Sequence, residues 1–148
     1  MVNIDNKLIG DGQPCYVTFE IGPTHNGVDS AKRLIKFASE AGADAVKFQI
    51  FDPERLVADK KQLFSYGVLK NRESGAIEII EEPLYDLFVR RSLTKDQWKE
   101  VKLYCDSLDM AFFATVGFDD EVDFLEELQC HSIKIASADV NHFPLLRR

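Results

Sequence analysis

Tyr16-Val-Thr-Phe-Glu-Ile-Gly-Pro-Thr-His-Asn-Gly27 is a short apolar run that ends in a carboxylate and is followed by a turn. β-Branched and aromatic residues dominate it and Gly22-Pro23 stops it, so a strand is predicted over residues 16–21. Glu20 is the informative position, an acidic side chain in a run otherwise built from Val17, Phe19 and Ile21. It is either a solvated residue beyond the strand or an acid at the C-terminal mouth of a barrel strand, where α/β barrels place their chemistry.

Working outward, a helix opens near Asp29, a suitable N-cap, with Ala31, Leu34, Ile35 and Ala38 at i, i+3, i+4 and i+7 on one apolar stripe. Gly42 closes it. Ala45-Val-Lys-Phe-Gln-Ile50 is a second strand, bounded by Asp52-Pro53. Strand, helix and strand with short links make a βαβ unit, so the sheet is parallel. Residues 83–91 form a short helix. Thr94-x-x-Gln97 is a capping box that opens a better one, with Trp98, Val101, Cys105 and Leu108 inward. A third strand covers 111–115, a helix capped by Asp119 or Asp120 carries Val122, Leu125 and Leu128, a fourth strand covers 132–136, and another helix begins over 142–148. Residues 1–15 are a hairpin or arm. Over 53–82 the periodicity dissolves, leaving a lid or substrate loop, or a solvated excursion.

Repeated βα units fit an α/β barrel or a doubly wound sheet. No GxGxxG or GxxxxGK[ST] follows a strand, which weakens the nucleotide-binding version. A barrel has eight strands and roughly 250 residues. The expectation is therefore an α/β fold, a (β/α)8 TIM barrel of which these 148 residues supply the first four strands, the last unit incomplete. Leu145-Leu-Arg-Arg148 stands inside an apparent helix, so a fragment of a longer enzyme is expected.

A hydrophobic content of 45% with 29% charged residues is that of a soluble globular chain. The net charge of -7 argues against nucleic acid held by its phosphates, but not against a small anion, which responds to local charge. No apolar run approaches the ~20 residues that span a bilayer, and the N-terminus lacks a basic region followed by an apolar one; no membrane association and no secretory signal are expected. Cys15, Cys105 and Cys130 are odd in number, widely spaced and without a CxxC, which reads as reduced structural thiols in the cytoplasm.

Side chains alternate faces along a strand. Val17, Phe19 and Ile21 share one face and Thr18 and Glu20 the other; Val46, Phe48 and Ile50 oppose Lys47 and Gln49; Ile133 and Ile135 oppose Lys134 and Ala136, with Ser137 just past the end. The apolar set suits a covering layer of helices. A strand buried on both faces reads as nearly continuous Val, Ile and Leu, yet here Glu, Lys, Gln and Lys occupy the second face. Such residues need partners or a ligand. One reading is a set of internal ion pairs, Glu20 with Lys47 or Lys134. The other is a pocket of two lysines, Gln49, Glu20 and the hydroxyls of Thr115 and Ser137, which suits an anionic, polyhydroxylated ligand. His25 lines the mouth or stabilises its turn, while His131 and His142 read as surface residues; no histidine has metal-ligand spacing. No GxSxG supports acyl transfer.

Glu20-Ile-Gly-Pro-Thr-His-Asn-Gly27, Ala41-Gly-Ala-Asp-Ala-Val-Lys-Phe-Gln49 and Lys134-Ile-Ala-Ser-Ala-Asp139, with Asn141 and Pro144-Leu-Leu146, resemble the sialic acid synthases, N-acetylneuraminate synthase and its relatives for other nonulosonic acids. The match spans nearly the whole chain in order and spacing. It implies a condensation of phosphoenolpyruvate with an open-chain N-acylated sugar such as N-acetylmannosamine, on a (β/α)8 barrel, giving a nonulosonic acid and phosphate. Carried over by position, Lys134 and Ser137 hold phosphoenolpyruvate with Lys47 and Thr115 nearby, Glu20 and Gln49 contact the sugar with His25 on that side of the mouth, and Glu20 and Lys47 are the catalytic pair. A carboxylate is the expected proton-transfer group, and paired lysines stabilise charge on a trianionic substrate.

The resemblance also implies a divalent metal, manganese or magnesium, on histidines of later strands, a homodimer, and a C-terminal half-barrel and antifreeze-like domain, none of them within these residues. The half alone is expected to be inactive. Two departures stand out: Thr24 where the family usually has Asn, and Thr115-Val-Gly-Phe118 where it commonly reads Thr-Pro-Phe. The alternatives are another phosphoenolpyruvate-dependent condensing barrel acting on a phosphorylated sugar, and a non-catalytic half-barrel that binds a ligand or partner, whose raw strand edges would be an association hazard.

Overall fold

Four parallel strands form the centre of the molecule, and their covering helices all lie on one face. The computed structural model describes residues 1–5 and 7–148. The chain opens with a small antiparallel hairpin, β1 (Val2–Ile4) and β2 (Lys7–Ile9), and position 6 between them lies outside the described residues. The βα succession then begins: β3 (Thr18–Gly22), α1 (Val28–Glu40) and β4 (Ala45–Gln49). An excursion follows, made of α2 (Pro53–Leu56), β5 (Leu63–Leu69), β6 (Ile77–Pro83) and α3 (Leu84–Arg91). The succession resumes with α4 (Lys95–Ser107), β7 (Ala111–Val116), α5 (Asp119–Glu127) and β8 (Ile133–Ile135), then a 3₁₀ turn over Ser137–Asp139 and α6 (Phe143–Leu146). The sheet runs in the order β3-β4-β7-β8, all parallel.

The helix-side face is apolar, as alternation required. Ile21, Val46, Phe48, Phe112, Ala114 and Val116 are buried there beneath Ala31, Ile35 and Ala38 of α1, Trp98, Val101 and Cys105 of α4, and Leu125 of α5. Phe48, Phe112 and Trp98 form an aromatic cluster with ring centroids 5.4–6.2 Å apart. Cover is complete only over the middle strands. On the outer strands Phe19 keeps 41% of its surface exposed and Ile133 40%, since each has a neighbour on one side alone. Ile35→Val, which removes one methylene from the fully buried α1 stripe, should lower the free energy of unfolding by about 1 kcal/mol in urea titration.

Two helix starts differ from the sequence expectation. α1 begins at Val28 with Gly27 as its N-cap at φ 90, which leaves Asp29 in the first turn, where its charge favours the helix dipole. α5 begins at Asp119, and its end is served by neither Asp119 nor Asp120 but by Glu121, whose Oε2 accepts the Gly117 N–H at 2.7 Å and the Phe118 N–H at 3.2 Å. The Thr94–Gln97 capping box forms as predicted.

The stretch over 53–82, read as without pattern, is largely ordered: β5 and β6 pair antiparallel from Leu63↔Pro83 to Leu69↔Ile77. Its signal was weak because neither face is a clean apolar stripe. One face mixes Leu63, Leu69, Ile77 and Ile79 with Ser65, Gly67 and Glu81, and its apolar members are exposed. Two polar locks order the excursion, one holding the hairpin to α3 and the other tying α2 to α3. Glu82 receives a bidentate pair from Arg90 at 2.6 and 2.7 Å and the Tyr66 hydroxyl at 2.7 Å, while Glu54 accepts from Lys60 at 2.5 Å and from Tyr85.

At the N-terminal end of the sheet, Asp44 ties the first hairpin down by accepting Lys7 Nζ and the Val17 N–H, each at 2.6 Å. The Lys7 hydrogen bond, with that of Val17, holds the Asp44 carboxyl below the usual range. A cleft of about 300 Å³, bordered by Asp5, Lys7, Asp44, Lys102, Asp106 and His131, opens at this end, away from the candidate site. The cysteines are free. Burial pushes the Cys105 and Cys130 thiols up to about 12, which makes them inert packing groups.

Candidate active site

The second face of the sheet is polar, and its register explains how. Glu20, Lys47 and Phe113 stand level on β3, β4 and β7; one step toward the C-terminal ends, Gln49, Thr115 and Lys134 stand level on β4, β7 and β8. Side chains from four strands at two adjacent levels can converge because a parallel ladder keeps them on one face.

Lys47 is the centre of the arrangement. Its side chain is only 9% exposed, and its ammonium lies 2.8 Å from Glu20 Oε2 and donates to Thr115 Oγ1 at 2.9 Å. The Glu20 side chain, by contrast, is 57% exposed. The ion pair of the first sequence reading forms between Glu20 and Lys47, and it stands at an accessible surface. Gln49 approaches from β4, its Nε2 and Glu20 Oε1 both bordering the space above Gly22. Lys134 lies on this face at the level of Thr115, and its ammonium donates to the carbonyl of Ile135 at 2.7 Å. Ser137 is exposed at the start of the 3₁₀ turn just past β8. Glu20 and Thr115 are thus joined through the Lys47 ammonium, with Gln49 beside them on β4 and Lys134 and Ser137 on the adjoining strand and turn.

His25 is not among them. Its ring is fully buried on the helix side, 5.8 Å from Phe48 and 5.6 Å from Trp98 between centroids, both edge-to-face. The expected place on the sugar side of the mouth is corrected: the turn after β3 points this side chain into the core. Burial, and then the charge of Arg91, lower its pKa to about 4, so the imidazole is neutral at pH 7.

Two residues were missed. Phe113, half-buried at the level of Lys47, gives the polar face an apolar floor; alternation through the third strand would have placed it there. Glu121 is buried and shapes the turn that follows Thr115 through the two backbone bonds given above. Burial raises its pKa, against the lowering effect of those same N–H groups. Both departures from the family pattern acquire a structure here. Thr24 donates its hydroxyl to the Ile21 carbonyl at 2.7 Å and closes the turn after β3, and Val116-Gly117 is held by Glu121 without a proline.

The NeuB family matches residues 34–148. This chain belongs to the NeuB family. It is 32% identical to the N-acetylneuraminate-9-phosphate synthase of Mus musculus over 96% of its own length and 38% of that protein. It is also 32% identical to the N,N'-diacetyllegionaminic acid synthase of Legionella pneumophila, over 95% of its own length and 38% of that protein. The relatives are synthases of sialic and related nonulosonic acids, and the chain spans about two-fifths of their length. The crystal structure of N-acetylneuraminic acid synthetase from Leptospira borgpetersenii, in complex with citrate, matches with a TM-score of 0.76 at 24% identity, over 98% of this chain and 44% of that one. The likeness is one of fold: the four parallel strands and their helices correspond to part of the TIM barrel of that protein.

Proposed function

We propose that residues 1–148 form the first half of the barrel of a synthase that condenses phosphoenolpyruvate with an N-acylated hexosamine, giving a nonulosonic acid and phosphate. The observation that carries this reading is the Lys47 ammonium, buried between the Glu20 carboxylate and the Thr115 hydroxyl on the polar face of a NeuB-family sheet. C3 of phosphoenolpyruvate bonds to the aldehyde carbon of the open-chain sugar, whose oxygen takes up a proton. Water adds at C2, and phosphate departs to leave the 2-keto acid. Lys47 and Lys134, with the hydroxyls of Thr115 and Ser137, face the phosphoenolpyruvate charges. Glu20 and Gln49 face the sugar, with Glu20 placed to move a proton at the aldehyde oxygen or the attacking water.

The enzyme in this reading is a cytoplasmic homodimer that uses a divalent metal. Among the described residues no group of three or more His, Cys, Asp or Glu side chains is arranged to hold one, so these residues do not fit the metal and no step is routed through it. No helix of the described residues is long and apolar enough to cross a membrane.

Phosphate release from phosphoenolpyruvate by the full-length protein, with manganese and a panel of N-acyl hexosamines, tests the reaction. The three phosphoenolpyruvate carbons become C1–C3 of the product, so C6 of the hexosamine becomes C9. Hexosamine 6-phosphates therefore belong in the panel, because one relative is named for a 9-phosphate product. No release with any sugar would overturn the proposal. Lys134→Ala should raise the KM for phosphoenolpyruvate about tenfold, the loss of one partly exposed point charge; an unchanged KM would remove Lys134 from the phosphate side.

A further inference from the structure

Glu20 and Gln49 come from different strands, yet Glu20 Oε1 and Gln49 Nε2 both border the space that a side chain at Gly22 would occupy. A Cβ placed on Gly22 would lie 3.0 Å from Glu20 Oε1 and 3.7 Å from Gln49 Nε2. The first distance is below ordinary van der Waals contact, and the second is the contact itself. Gly22 also holds φ +53, in the left-handed region open to glycine at no steric cost.

The backbone that creates this space is irregular. Glu20 pairs with Lys47, but Gly22 pairs with Phe48, so β3 advances two residues where β4 advances one, and Ile21 is the extra residue of a bulge. Ile21 keeps the helix-side place that alternation gives it, at 1% exposure, and its burial anchors the kink. The bulge leaves Glu20 and the Cβ-less side of Gly22 adjacent on the polar face. The Ile21 carbonyl, freed at the bulge, accepts both the hydroxyl and the N–H of Thr24, at 2.7 and 3.2 Å, so the kink is held from the far side as well.

We propose that Gly22 is a positioning residue of the site: the absence of a side chain there lets the Glu20 carboxylate fold back over the end of β3 and lie against Lys47, on the side that Gln49 also borders. The inference rests on the reading of Glu20 as the sugar-side acid, and deepens it. The group that would yield to a Cβ is the far end of a flexible, half-exposed side chain rather than packed backbone. A substitution at Gly22 therefore acts on the position of the carboxylate, while its effect on the fold is confined to the left-handed backbone. Asn tolerates that conformation better than other side chains, so Gly22→Asn isolates the effect of the added Cβ, and Gly22→Ala adds backbone strain to it.

The test uses the full-length protein and two readouts. In kinetics, Gly22→Asn should lower kcat/KM for the sugar by at least about tenfold, since small misplacements of a reacting group are costly, and leave the KM for phosphoenolpyruvate within about twofold. In the Glu20→Ala background the same substitution should have no further effect, because the carboxylate it displaces is gone. A purely structural glycine would act equally in both backgrounds and on both substrates. In parallel, the ¹³Cδ resonance of Glu20 should shift in Gly22→Asn while the methyl resonances of Ile35 and Val101 stay in place. This second readout needs no turnover, so an inactive wild type would count against the proposed reaction and leave the positioning role still measured. An unmoved Glu20 resonance, full additivity with Glu20→Ala, or failure of Gly22→Asn to fold would each overturn the proposal.

Discussion

In the full-length protein, Lys47→Met should reduce kcat/KM for the proposed condensation by about 10³-fold while leaving stability toward urea unchanged or raised. The two halves of this expectation come from one geometry. The ammonium is nearly sealed from water and meets two acceptors, Glu20 Oε2 at 2.8 Å and Thr115 Oγ1 at 2.9 Å. A charge preorganised in this way is worth more to an anionic transition state than a solvated one, and removal of one such donor from an active site costs about 10²–10³ in turnover. For folding the balance is reversed. Burial of an ammonium costs several kcal/mol before its partners repay it, and replacement by an apolar side chain of similar volume is often neutral or stabilising. The usual penalty for breaking such a pair, a stranded buried charge, does not arise, because the Glu20 side chain is 57% exposed and water can take the place of Lys47. Wild-type kcat/KM in a stable Lys47→Met variant would remove Lys47 from the site.

The sheet and most of this face were legible in the chain because period-2 alternation is a strong signal when the two faces differ in kind. Lys47 and Gln49 between Val46, Phe48 and Ile50 left one placement for each. Phe113 escaped because alternation was followed through three strands and not through the third in order, where an aromatic residue on the polar face looks like core. The hairpin of β5 and β6 escaped for a different reason: its faces are mixed, and its order comes from Arg90 on Glu82 and from the ladder itself, neither of which leaves a periodic trace. His25 was misplaced because a turn residue has no alternation to follow. Its direction is set by the bulge at Ile21 and the left-handed Gly22, which only coordinates reveal. Exposure at the sheet margins has a physical reason too. Phe19 and Ile133 have the sequence of core residues, but burial requires neighbours on both sides, and β3 and β8 each have one.

Between about pH 6.5 and pH 4 the protein should lose about 3 kcal/mol of stability through His25 alone. The ring is fully buried against Phe48 and Trp98, and among the described residues neither Nδ1 nor Nε2 has a hydrogen-bond partner. Desolvation disfavours the imidazolium, the Arg91 charge adds to it, and the folded-state pKa falls from 6.5 to about 4. The direction follows from proton counting. Between these two values the unfolded chain binds a proton that the folded chain refuses, so acidification through the window favours unfolding, and below about 4 both states are charged and the slope from this residue vanishes. Two and a half units at about 1.4 kcal/mol each set the size. Carboxylates contribute their own acid loss, among them Asp44, Asp120 and Glu82, the last held down to about 2 by Arg90, but chiefly lower on the pH scale. Their share cancels in a comparison of wild type with His25→Phe, which keeps an aromatic ring in the cluster and has nothing to protonate. Urea unfolding at several pH values should show the two proteins diverging as pH falls from about 6.5, with the wild type the one that weakens. Parallel curves would mean that the ring finds a partner when charged, and would return His25 to the accessible side of the turn.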